Sequence, residues 1–119
     1  MITVEQAREG LRKALEEKGE DYIYPNALNG ENCVYADSDG DPSCLVGHAI
    51  YYIDREAFNA LAEEEREEMD RIGDALPITS VRSVKFEPAA LKGLAEAQDR
   101  QDTKRPWGEA VLGFETTVW

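Results

Sequence analysis

The run CVYADSDGDPSCLVGHAIYYI, residues 33–53, holds both cysteines, an aspartate-rich turn and the only histidine of a 119-residue chain. Its first five residues, CVYAD (33–37), place β-branched and aromatic side chains in alternation, which predicts a strand. SDGDP ends that strand, because Asp39-Gly40 has turn chemistry. A helix is expected next, with Asp41 or Ser43 as its cap and Pro42 in its first turn. Leu45, Val46, Ala49, Ile50 and Ile53 form one broad apolar face, so this helix should lie at the centre of the core. Gly47 lies inside it, where it costs helix propensity. Its expected role is to let a neighbouring element come close.

The flanking sequence extends this pattern in both directions. Residues 3–18 read as a first helix. Thr3 and Gln6 have capping-box spacing, Val4, Ala7, Leu11, Ala14 and Leu15 recur at helical intervals, and Gly19 is a stop signal. DYIYP (21–25) reads as a short strand, with Tyr22 and Tyr24 on one face, paired antiparallel with residues 33–37. Downstream, Asp54 caps a helix that turns Phe58, Leu61, Met69 and Ile72 inward, and the polar run 62–68 reads as a solvated face or a place where the helix projects. ITSVRSVKF (78–86) is rich in β-branched residues and reads as a third strand. Pro88 opens a helix to about Asp102, with Leu91, Leu94, Ala95 and Gln98 inward. Pro106 introduces a last short helix that ends in an extended tail, ETTVW (115–119). The expected fold is α+β, a single globular domain over residues 1–119. In it a small two- to three-stranded antiparallel sheet packs against four or five helices.

Charge narrows the class of function. The net charge is −12. Residues 1–41 carry ten acids against four bases, residues 42–77 nine against three, and residues 78–119 six of each, so the excess lies in the first two thirds. A field of that sign repels nucleic-acid phosphates and anionic membrane surfaces and favours basic partners. RQDTKRPWG (100–108) is the only basic, aromatic-containing connector, a weak signal for nucleic acid in such a chain. No apolar run reaches the roughly 20 residues that span a bilayer. The first twenty residues lack the hydrophobic core of a signal peptide, so the expected location is cytoplasmic. Two cysteines in such a chain read as free thiols.

The chemical candidates are few. Asp37, Asp39 and Asp41 alternate as in the opening of a calcium loop. Counted from Asp37, however, the sixth position is Pro42 and the twelfth His48, where glycine and a bidentate glutamate are required. Cys33, Cys44 and His48 lack the paired spacing of a structural zinc site. Cys44 and His48 stand at i and i+4 on one helix face, a nucleophile–base arrangement with Cys44 in the first turn. Against it, cysteine is among the most buried residue types, and Leu45 and Val46 flank this one. No cofactor and no metal are expected.

The pieces YIYP, CVYADSDGDPSCLVGHAIYYI and LAEAQDRQDTKRPWGEAVLGF resemble a group of small uncharacterised acidic proteins of actinobacteria and their bacteriophages. The shared pattern falls here on Tyr22 and Tyr24, Cys33 and Tyr35, Pro42 to His48, Ala97 to Asp102, and Trp107 to Ala110. It spans most of the chain apart from the acidic helix around 56–74. No activity comes with the likeness. It implies an accessory protein of the host-cell cytoplasm.

The leading expectation is therefore a non-enzymatic protein, monomer or homodimer, that binds a host protein. Glu63, Glu64, Glu65, Glu67, Glu68 and Asp70, with the aromatics Trp107 and Trp119, are the expected contacts. One form of this is mimicry of nucleic acid by the acidic surface. The alternative is a small thiol-dependent enzyme or redox protein using Cys44 and His48, with Cys33 as resolving partner. A third reading is self-assembly through the 115–119 tail.

Overall fold

Caps written in the sequence set most of the helix boundaries. The computed structural model describes residues 1–31, 33–73 and 75–118, apart from the Ile72 side chain. Helix α1 spans Val4–Lys18, with the Thr3–Gln6 capping box formed and Gly19 ending it at φ 94°. Helix α2 is one turn, Pro25–Leu28. Helix α3 spans Leu45–Ile53, and α4, Arg55–Ile72, begins at the Asp54 carboxylate, which accepts from Glu56 N and Ala57 N. A 3-10 turn, Ile78–Ser80, leads to α5, Pro88–Asp102, and α6, Trp107–Val118.

Helix α3 is the hub. Leu45, Val46, Ala49 and Ile50 are fully buried, and each full-sized side chain among them contributes about 1.5–3 kcal/mol. α1 packs along α3, α5 and α6 form an antiparallel pair, and α4 and α5 also touch the hub. Two glycines make the close approaches possible. A Cβ on Gly10 of α1 would stand 2.5 Å from the Ala49 carbonyl oxygen, and one on Gly47 would stand 2.2 Å from that of Tyr35. The expectation that Gly47 admits a neighbour is met, and the neighbour is the backbone at Tyr35.

The expected α+β fold is corrected: the described residues form helices and no sheet. Isolated bridges join Ile2 to Phe86 and Ala36 to Pro42. The three segments read as strands differ in what satisfies their backbone. In 21–25, the Tyr22 carbonyl accepts from Trp107 N at 2.8 Å, and the Glu20 carbonyl just before it accepts from Gly108 N at 2.9 Å. These carbonyls therefore cap α6, and Tyr24 enters α2. In 33–37, Tyr35 N donates to the Glu65 carboxylate at 2.8 Å, and Ala36 N to the same group at 3.3 Å. The carbonyls of Val34 and Tyr35 accept from Cys44 and Ser43, so this segment folds back on 41–44 instead of pairing with 21–25. In 78–86, Ile78–Ser80 coils into the 3-10 turn, and Arg82 N and Ser83 N donate to the Glu64 carboxylate. β-Propensity reports a fit to a pleated, half-buried surface. Here carboxylates and helix ends take the place of neighbouring strands.

Candidate functional site

Two regions carry the candidate residues: the segment 33–48 with its neighbours, and the acidic length of α4.

The first is a buried polar cluster. Cys44 is 0% exposed and serves as the N-cap of α3, its sulfur accepting from Gly47 N at 3.4 Å. Sequence had assigned this cap to Asp41 or Ser43. Instead, the Ser43 hydroxyl bonds the Tyr24 hydroxyl at 2.8 Å, and Asp41 N donates to the Asp37 carboxylate at 3.0 Å. Asp39 N donates to the same carboxylate at 2.9 Å, which closes the aspartate turn on itself. His48 is buried, and its Nδ1–H donates to the Cys44 carbonyl oxygen at 2.9 Å. That contact is to the backbone of Cys44 and not to its thiol. Burial, with the Cys33 thiol alongside, pushes the Cys44 thiol well above its ordinary range. Burial also lowers the His48 pKa, which favours the neutral ring.

Gln101 completes the cluster. It is fully buried, and its Oε1 accepts from Leu45 N at 2.7 Å, the first amide of α3. Its Nε2 donates to Asp102 Oδ1 at 2.9 Å. Gln98 Nε2 donates to the Tyr35 hydroxyl at 3.0 Å, and that hydroxyl donates to the Leu76 carbonyl at 2.6 Å. Sequence reasoning placed Gln98 inward but assigned Gln101 no role. The available signal was its i+3 spacing from Gln98, next to the apolar Leu94–Ala97 stripe.

Trp107, expected as an exposed contact, is 0% exposed. Its ring meets Tyr22 edge-on at 4.7 Å and His48 at 5.2 Å, so it ties α6 to the hub. Trp119 lies outside the described residues. Residues 115–118 of the expected extended tail belong to α6.

The second region divides the acidic candidates by role. Glu65 is only 4% exposed and holds the 35–36 backbone, so it is no surface contact. Glu64 is half-buried and holds the 82–83 backbone. Glu68 pairs with Arg71 at 2.9 Å. Glu63, Glu67 and Asp70 are exposed, and among the described residues no lysine or arginine pairs with them. Glu63, Glu64, Glu67 and Glu68 line an open groove of about 460 Å³ with Ala60, Arg82 and Ser83.

No family model, curated protein or solved structure matches the chain. No helix among the described residues is long and apolar enough to cross a membrane.

Proposed function

We propose that the chain is a non-catalytic accessory protein that binds a basic face of another protein through the acidic side of α4. The observation that carries this reading is the groove beside α4. Two of its wall carboxylates, Glu63 and Glu67, have no basic partner among the described residues, and Asp70 extends the exposed charge along the helix. Like charges held this close repel one another, and a basic partner relieves that repulsion on binding. The resemblance to phage and actinobacterial proteins makes a host protein of the actinobacterial cytoplasm the natural partner. The buried cluster of Tyr35, Cys44, His48 and Gln101 then serves to hold the fold that presents α4.

The test compares three chains as baits in lysate of an actinobacterium. One is wild type. One carries Glu63→Gln, Glu67→Gln and Asp70→Asn. One carries Glu17→Gln, Glu20→Gln and Glu31→Gln, which removes the same charge from other exposed positions. The expected result is a basic protein retained by wild type and by the second variant, lost from the α4 variant, and released by salt within the range where exposed charges are screened. Equal retention by all three, or no specific protein on any, sinks the reading. Elution of the captured protein by DNA would identify mimicry of nucleic acid as the mode.

A further inference from the structure

The two thiols meet where the 33–37 segment folds back. Ser43 N donates to Tyr35 O at 2.9 Å and Cys44 N to Val34 O at 3.1 Å, so the backbone at 43–44 runs against that at 34–35. This sets Cys33 and Cys44 beside each other, and Gln101 spans the two, with its Nε2 on Cys33 Sγ and its Oε1 on the amide of Leu45, the residue after Cys44. Both are free thiols; Cys33 is half-buried and Cys44 fully buried. Gln98 Nε2 and Gln101 Nε2 both donate to Cys33 Sγ, at 3.5 and 3.6 Å, and fix that sulfur in place.

We propose that Cys33 and Cys44 form a reversible dithiol–disulfide pair, with Cys33 as the point of entry for a small-molecule disulfide. The Cys33 thiolate attacks one sulfur of the oxidant. The oxidant's S–S bond breaks, one thiolate leaves, and Cys33 carries a mixed disulfide. Cys44 then loses its proton and attacks Cys33 Sγ, and the second half of the oxidant leaves as a thiolate. Two electrons and two protons pass from the cysteine pair to the oxidant, which ends as two thiols. Burial sets the order, because Cys33 is the partly exposed member of the pair and Cys44 has no exposed surface. The product is a cross-link between the folded-back segment and the cap of α3.

The experiment is intact-mass analysis of the full chain after incubation with oxidised glutathione. Wild type is expected to lose the mass of two hydrogens, to recover it with dithiothreitol, and to gain on the order of 5 °C in Tm when oxidised. Cys44→Ser is expected to accumulate one glutathione adduct, and Cys33→Ser to stay unmodified while folded. Wild type that stops at a stable glutathione adduct, or reacts only once unfolded, overturns the proposal. Those wild-type outcomes decide it even if a serine variant fails to fold.

Discussion

Gly47→Ala is expected to lower stability by about 3 kcal/mol or more, although alanine is the better helix former by about 1 kcal/mol. The reason is contact with backbone. The added Cβ would stand 2.2 Å from the Tyr35 carbonyl oxygen and 2.9 Å from its carbon. Neither atom can rotate away as a side chain would. Tyr35 is held by its amide on Glu65 and its hydroxyl on Leu76, so the whole segment has to shift to make room. Urea unfolding reads the result as a lower midpoint. A midpoint that rises, as propensity alone predicts, would show that the 35–47 approach is looser than described.

Glu65→Ala is expected to cost about 3 kcal/mol, since it leaves the Tyr35 and Ala36 amides facing a buried void without an acceptor. Glu65→Gln keeps one acceptor oxygen and should cost less. It also isolates a pH effect. Burial raises the Glu65 pKa above 4.5, and the two amide donors lower it by less. The folded chain therefore holds this proton more tightly than the unfolded chain. The contribution is fully present below the unfolded value and is lost as pH rises through the raised folded value. His48 has the opposite sign. Its pKa is lowered from 6.5, so its contribution is lost as pH falls below that value. His48 is common to wild type and Glu65→Gln and cancels in their difference. The stability of wild type relative to Glu65→Gln should therefore shrink from acid toward neutral pH. A difference that grows with pH would mean that Glu65 is held as an anion by its amide donors more strongly than burial opposes it.

The helices were legible because their signals are local. Thr3 and Gln6, Gly19, Asp54, Pro88 and Pro106 mark ends within one turn, and the apolar stripe of α3 correctly placed it at the core. The strands were misread because a strand is defined by its partner. Tyr22, Tyr24, Tyr35 and Val84 have the side chains of half-buried strands, and Tyr24, Tyr35 and Val84 are indeed buried. The backbones of their segments, however, bond remote groups: Arg82 and Ser83 to Glu64, Tyr35 to Glu65, Val34 to the Tyr24 hydroxyl, and Tyr22 to the start of α6. The same blindness touched the site. The run EEEREE reads as uniformly solvated, yet its second and third glutamates, Glu64 and Glu65, face segments that only the tertiary fold brings near. Trp107 looked like a surface aromatic because nothing local announces that Tyr22 and His48 close over it.

The account makes α3, with its cap Cys44, a packed hub that supports an acidic binding face. The most direct measurement is the rate of iodoacetamide alkylation of Cys44 across pH in the Cys33→Ser chain, native against urea-unfolded. The account predicts negligible native reaction at every pH where the fold holds, with rapid reaction only on unfolding, as befits a fully buried thiol. Fast native alkylation with a depressed apparent pKa would contradict it and make Cys44 and His48 a chemical site.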